Sequence, residues 1–238
     1  MTDNERVAII NRDFGELQAQ YPDLCLGQNL FGEWVVRGPI RASAIYESTE
    51  LEIGGVTVEI VLPTTYPESH PVARETTGLT KEFHTYHDGT LCLGSPLAIK
   101  SSFRNYPTLL GFMEQLVIPF FFAFFYMEMH GEMPFGELSH GGEGLLEYYL
   151  DLFELAEADK VIGLLRILSD DEYRGHLPCP CGSRAIIRRC HGDLIRNIAR
   201  LQSKDHFLLD YYCIARYCYE KGILIPKEFV SKRLLSNK

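Results

Sequence analysis

The chain has no long apolar run. Its most hydrophobic stretch, Leu116 to Met127 (LVIPFFFAFFYM), covers 12 residues between Glu114 and Glu128, against roughly 20 for a helix that spans a bilayer. That predicts a buried helix, with a partner-binding surface as the second reading and a membrane span as a distant third. The start, MTDNERVAII, lacks the basic residues and apolar stretch of a signal peptide, so a soluble, cytoplasmic protein without membrane contact is expected. There is no internal repeat and no long linker, which leaves one core, or a domain of about 150 residues with an appendage. The seven cysteines lack the spread of a disulfide framework: three fall between 179 and 190, while Cys25 and Cys92 stand far apart. Basic residues are scarce early, with 11 Lys/Arg against 27 Asp/Glu in residues 1–176, and plentiful late, with 12 against 5 in residues 177–238. The change of sign near Gly175 marks a composition boundary and suits the tail to an acidic partner or to its own acidic domain. Composition, 46% hydrophobic and 23% charged, is that of a globular chain rather than a disordered one.

Where apolar residues recur, their spacing separates helices from strands. Val7, Ile10, Phe14 and Leu17 fit one face of a helix over residues 4–20, ended by Tyr21-Pro22. Strand character follows around Trp34-Val35-Val36, with Trp34 read as core, and again from Ser43 to Tyr46. After Gly54-Gly55, Val56, Val58 and Ile60 alternate with Thr57, Glu59 and Val61 until Pro63. Tyr66-Pro67 and His70-Pro71 set a rigid turn before a short strand near Val72-Ala73. Residues 76–102 read as a loop pinned by Leu91, Leu93 and Leu97. Leu109, Leu110, Met113, Leu116 and Val117 make a helical face that Pro119 ends or kinks. One helix is predicted over residues 144–168, then one through Leu194, Ile198 and Leu201, one through Phe207, Tyr211 and Ile214, and a short last one after Pro226.

The segment CPCGSRAIIRRCHG supplies Cys179 and Cys181, then Cys190 and His191 after eight residues. Zinc favours four such ligands in a closed tetrahedral site. Pro180 stiffens the first pair and Gly182 relieves backbone crowding beside it. With all four positions filled by protein there is no open place for water or substrate, so the ion is structural. The competing reading is of ordinary reduced thiols in a helical tail. The segment resembles the SEC-C motif, C-P-C-G-S followed by a basic stretch and Cys-Cys or Cys-His, over residues 177–195. That resemblance implies zinc and a protein or nucleic-acid contact. Arg184, Arg188 and Arg189 suit an acidic partner, phosphates, or simply a solvated face. Cys213 and Cys218, five apart in an aromatic helical run, read as buried free thiols.

The other unusual segment is HTYHDGTLCLG, His84 to Gly94. Asp88-Gly89 favours a tight turn, and Cys92 follows it near two histidines. A thiolate is a strong nucleophile, so Cys92 can carry an acyl thioester; flanked by Leu91 and Leu93, it can equally be a packing residue. Taken with residues 55–75, GVTVEIVLPTTYPESHPVARE, the segment resembles the core of ubiquitin-conjugating enzymes, especially their bacterial relatives. There a strand leads into Tyr-Pro-x-x-x-Pro, then a histidine-containing turn, then Gly-x-Leu/Ile-Cys-Leu with the acceptor thiol. Tyr66, Pro67 and Pro71 match the first pattern; Gly89, Leu91, Cys92 and Leu93 match the last. The family's His-Pro-Asn turn is His84-Thr85-Tyr86 here, and the approach to the cysteine is shorter.

The resemblance covers residues 4–155 and implies an α+β fold, an antiparallel four-stranded sheet with flanking helices over residues 1–158. A helical region carrying the zinc module would fill residues 159–238. Cys92 would accept the C-terminal carboxyl of a ubiquitin-like or other activated protein, and an amine would then attack the thioester. Tyr86, His87 or backbone N–H groups would replace the asparagine that steadies oxyanion charge. His87 or Asp88 would help deprotonate the amine, and His84 would hold the loop. The implied partners are an activating enzyme, the protein modifier and a protein acceptor; the implied setting is bacterial antiviral defence or protein modification. The alternatives are an inactive protein-binding adaptor of the same fold and a nucleic-acid-associated zinc module.

Overall fold

The computed structural model describes residues 2–46, 49–134, 139 and 141–235. Two compact units divide the chain, residues 1–136 and 137–238. In the first, helix α1 (Asp3–Gln20) begins at a capping box: Thr2 Oγ1 accepts from the Glu5 N–H, and the Glu5 carboxylate accepts from the Thr2 N–H at 2.7 Å. Ile10, Asp13 and Leu17 lie on its buried side.

Strands β1 (Cys25–Gln28), β2 (Trp34–Tyr46), β3 (Thr49–Val61) and β4 (Val72–Glu75) follow as an antiparallel meander in sequence order. In β3, Val56, Val58 and Ile60 are buried as their alternation predicts, but so are Leu51 and Ile53, which are out of phase with them. Gly54 and Gly55 together oppose the single residue Arg41, between the pairs Ile40↔Val56 and Ala42↔Ile53. This bulge, with Gly55 at φ 76, resets the alternation. The two short strands expected around residues 34–36 and 43–46 are therefore one 13-residue strand. Trp34 opens it, partly buried against the core.

Beyond Pro63 the Tyr66-Pro67 peptide is cis. Tyr66 is fully buried and its hydroxyl donates to the buried Asp13 carboxylate, which Arg12 also holds. This fixes the Tyr-Pro turn onto α1 and gives Tyr66 and Pro67 their architectural role. The predicted loop over residues 76–102 contains the start of helix α2 (Pro96–Asn105), with Ser95 as N-cap and Pro96 in its first turn.

Helix α3 (Leu109–Phe112), a π-helical turn (Met113–Val117) and α4 (Ile118–His130) run on as one 22-residue helix. Pro119 therefore does not end it. The wide turn just upstream takes up the misfit of a residue with no N–H to donate. This helix is the one among the described residues long and apolar enough to cross a membrane, which the 12-residue count did not foresee. Most of its apolar length is buried. Phe112, Val117, Phe121 and Phe122 join Val36, Ile40, Val58 and Ile60 in the core, so it is built as the buried helix of this unit.

In the second unit the single helix predicted over residues 144–168 is two, α5 (Gly141–Leu152) and α6 (Ala158–Ser169). Glu154 breaks them apart at φ 53. Helix α7 (Gly192–Ile198) and α8 (Lys204–Glu220) follow, then a 3-10 turn (Lys227–Phe229) and α9 (Lys232–Leu235). Helix α5 bonds to α8 through Tyr149 to Asp210, 2.7 Å, and Tyr217 to Glu143. The compact units thus divide at Gly136, upstream of the 158/159 boundary read from the sequence, because α5 packs with the helices that follow it.

Candidate functional site

Cys92 ends a small hairpin. Thr85 bridges Leu91, the Tyr86 N–H donates to Thr90 O at 2.8 Å, and the Gly89 N–H donates to Tyr86 O at 2.9 Å. Asp88 Oδ1 accepts from the Thr90 N–H at 3.0 Å, closing the turn with a side chain. The Leu91 N–H donates to Ala73 O in β4, so the hairpin is docked on the sheet by its buried leucine. The Cys92 N–H donates to His84 O at 2.8 Å, and the sulfur is half-buried rather than sealed in.

Of the sequence-predicted residues, the structure brings Tyr86 to Cys92: the phenol hydroxyl lies 3.8 Å from Sγ. That hydrogen bond, then the sulfur's charge and some burial, raise the Tyr86 hydroxyl above its ordinary range and keep it a proton donor. His84 meets Cys92 through its backbone; its ring stands edge-on to Phe83 at 5.0 Å. Its φ of 39 is unusual for a bulky residue and marks local strain beside the thiol. His87 is exposed at the hairpin tip. Asp88 is held below the usual carboxylate range, first by the Thr90 backbone and side chain and then by Arg74, 3.5 Å away. Both its oxygens are engaged, so its visible work is to shape the turn.

Three supports were not read from the sequence. Glu75 is a buried carboxylate that accepts from the Thr77 N–H and hydroxyl and from the Thr80 N–H at 3.4 Å. Thr85 donates its hydroxyl to Phe83 O at 2.8 Å. Arg74 reaches from β4 to Asp88 and Thr90. An acid followed at two and five residues by threonines was the available signal for the first.

The second constellation gathers Cys179, Cys181, Cys190 and His191, whose ligand atoms all lie within 4.8 Å of one another. Residues 177–187 form a knuckle closed by the Cys179 N–H to Ala185 O, 2.8 Å, and the Ile187 N–H to Leu177 O, 2.9 Å. Gly182 at φ 82 and Arg184 at φ 64 make its corner. The 3-10 turn Ile187–Arg189 then delivers Cys190 and His191 to the start of α7. Sγ of Cys181 is 3.4 Å from that of Cys190, and His191 Nδ1 is 3.3 and 3.2 Å from Cys179 and Cys190. A tetrahedral metal with sulfur ligands at about 2.3 Å sets S···S edges of about 3.8 Å, so little movement closes this set on an ion.

The imidazole is prepared for that role. His191 Nε2 lies 2.9 Å from Phe153 O, an acceptor only, so Nε2 carries the proton and Nδ1 turns its lone pair to the sulfurs. The carbonyl is available because α5 ends just before it. Burial acts on Cys181 to raise its thiol, but bonds from the Ser183 hydroxyl and backbone and from neighbouring cysteines prevail and bring it down to about 6. Burial dominates at Cys179 and pushes it up to about 12. The cluster fits a metal ion that would replace the remaining thiol protons. Pro180 rests on Gly163 of α6, where an added Cβ would lie 2.7 Å from Pro180 Cβ and 3.1 Å from the Phe229 ring.

Arg184, Arg188 and Arg189 are exposed and make no ion pair among the described residues, a solvated face as the sequence allowed. Cys218 is buried, but Cys213 is exposed, so only one of that pair is the buried thiol expected. Compared with known proteins, the chain matches no family model, no curated protein and no solved structure.

Proposed function

We propose that the chain is a ubiquitin-conjugating-like transferase that carries an activated protein C-terminus on Cys92, and that its Cys/His cluster holds a structural zinc ion. The observation that carries the first part is the Tyr86 hydroxyl 3.8 Å from a half-buried Cys92 sulfur at the end of a docked hairpin. Tyr86 occupies the position where the resembled family has its asparagine, so a hydrogen-bond donor is retained there in another form. The four-stranded meander, the Tyr66-Pro67 turn on α1 and the helix after Cys92 are consistent with this reading.

In the first step Cys92 Sγ, as thiolate, bonds to the carbonyl carbon of the activated carboxyl, and the activating group leaves with its bonding pair. In the second an amine nitrogen bonds to that carbon, the C–S bond breaks, and the pair returns to sulfur while the amine gives up a proton. Tyr86 donates to the sulfur as charge builds on it, the kind of preorganised donor that costs no rearrangement during reaction. Asp88, committed to Thr90 and Arg74, serves the turn. The exposed imidazole of His87 is the group left to take the amine proton, directly or through water.

The test is a mixture with a demonstrably loaded activating enzyme, nucleotide and candidate modifier. The expected product is a thiol-reducible adduct on Cys92, and Cys92→Ser should form a more persistent ester. No adduct from a loaded activating partner overturns the assignment. A second reading, an inactive adaptor, is favoured by the engagement of Asp88 and of the Thr85 hydroxyl, which leaves neither for chemistry. It requires that Cys92→Ala leave partner binding unchanged and that no adduct form.

Zinc is supported by the donor set, three thiols and a correctly turned imidazole. Such an ion would join the knuckle to the start of α7 and leave no ligand position for substrate. Metal analysis should find about one zinc per chain; a folded second unit with none overturns it.

A further inference from the structure

We infer that Arg74 is a positioning residue for Cys92, acting through a ladder of alternating charge on the sheet face that holds the Tyr86 hydroxyl against the sulfur. Arg37, Glu59, Arg74 and Thr90 are successive cross-strand partners from β2 through β3 and β4 to the hairpin. Their side chains meet in the same order. Arg37 Nε donates to Glu59 at 2.6 Å, and Arg74 lies 3.7 Å from the other Glu59 oxygen. At its far end Arg74 reaches Asp88 at 3.5 Å and donates to the Thr90 hydroxyl at 3.4 Å. Asp88 and Thr90 are the two residues that close the turn, and Tyr86 is bonded to Thr90 and Gly89 across it.

The tip therefore has two kinds of anchor. Backbone bonds from the Leu91 N–H to Ala73 O and from the Glu75 N–H to Gly89 O dock its returning strand on β4, on either side of Thr90. Arg74 is the side chain that pins its outer edge to the sheet, where a small rotation moves the phenol relative to Sγ. Arg74 and Asp88 are well exposed, so such pairs add little to stability and weaken in salt. Function of the turn can then change while the fold does not. This rests on the reading of Cys92 as the reactive thiol, but its readout needs neither modifier nor activating enzyme.

The experiment follows alkylation of Cys92 by iodoacetamide, an uncharged reagent, at fixed neutral pH, resolved by peptide mass. Tyr86→Phe should slow the reaction about fivefold, since a donor to the thiolate is lost. Arg74→Gln should slow it about threefold, on the scale of an exposed ion pair. Arg74→Lys should restore most of the rate, and Arg74→Gln should add almost nothing in the Tyr86→Phe background. Salt at 1 M, on the order of a 3 Å screening length, should bring the unaltered protein toward the Arg74→Gln rate, a check that involves no variant. Glu59→Gln, one rung away, should act in the same direction. An unchanged rate in Arg74→Gln, or effects of Arg74 and Tyr86 that multiply independently, overturns the inference. A chain that shows the coupling yet never forms a thioester would remove the transferase reading and leave the role of Arg74 standing.

Discussion

At Gly89 two demands meet on one backbone position. Its φ is 81, and an added Cβ would lie 3.0 Å from Glu75 O. Gly89→Ala should therefore cost about 1–2 kcal/mol in denaturant unfolding of the first unit, from strain and crowding together, and should slow Cys92 alkylation. A variant as stable and reactive as the parent would show that the turn is not held as described. Asp88-Gly89 was readable as a turn because those residue types have local conformational preferences. The part of Arg74 was not, because it depends on β4 and the hairpin meeting across 14 to 16 positions of chain, whereas Tyr86 and Cys92 are only six apart and were already candidates. The four metal-ligand candidates were legible for the opposite reason: short spacing alone forces their donors together.

Among elements, the broken helix is the instructive case. Leu145, Tyr149, Leu152 and Leu155 keep a helical period across the break, so periodicity could not reveal that Glu154 turns the chain. The break is what gives His191 its acceptor. Helix α6 shows a similar dependence in Gly163, a residue that usually weakens a helix interior. Gly163→Ala should gain local helix propensity yet destabilise the second unit by about 1–2 kcal/mol, since Pro180 and Phe229 cannot both withdraw. Competition with a chelator should show weaker metal retention; unchanged retention would argue that the knuckle is not seated there.

The C-terminal segment offers a pH test at the same scale. Lys232 binds both oxygens of Glu172, at 2.6 and 2.9 Å, and Arg233 holds Asp205. These cations lower both carboxyls below their ordinary values, with the hydrogen bond to each partner as the leading cause. Groups so depressed favour the docked state above their free values of 4.5 and 3.8, and that contribution is lost as pH falls through the lowered values. Limited proteolysis should thus cut the end of the chain more and more readily as pH falls below 3.8, and poorly at neutral pH. Equal cutting at both would contradict the docking.

For the whole molecule, each unit has its own kind of tie. The first rests on an aromatic helix against a twisted sheet; the second combines helix packing with the Cys/His cluster. Removing metal by chelation or acid should lower the melting temperature of the second unit and leave that of the first in place, because ligands must lose protons to bind and regain them on release. Calorimetry with and without chelator checks this; a single transition that moves as one would refute it. The α+β class and the antiparallel four-stranded sheet agree with what the resemblance implied, and β3 and β4 were legible from local alternation and turn residues, whereas the four-residue β1 (Cys25–Gln28) carries no such pattern. The division at Gly136 did not follow, since the boundary at 158/159 came from the extent of the resemblance, while the packing of α5 is set by its buried face.

Trp34 is the chain's one tryptophan, and it stands at the start of β2, inside the first unit. Its emission is a private signal that follows the unfolding of the sheet to which it belongs. Far-ultraviolet ellipticity sums over both units. The gap between the two curves therefore measures how far the halves of the chain fold on separate schedules, without any label added.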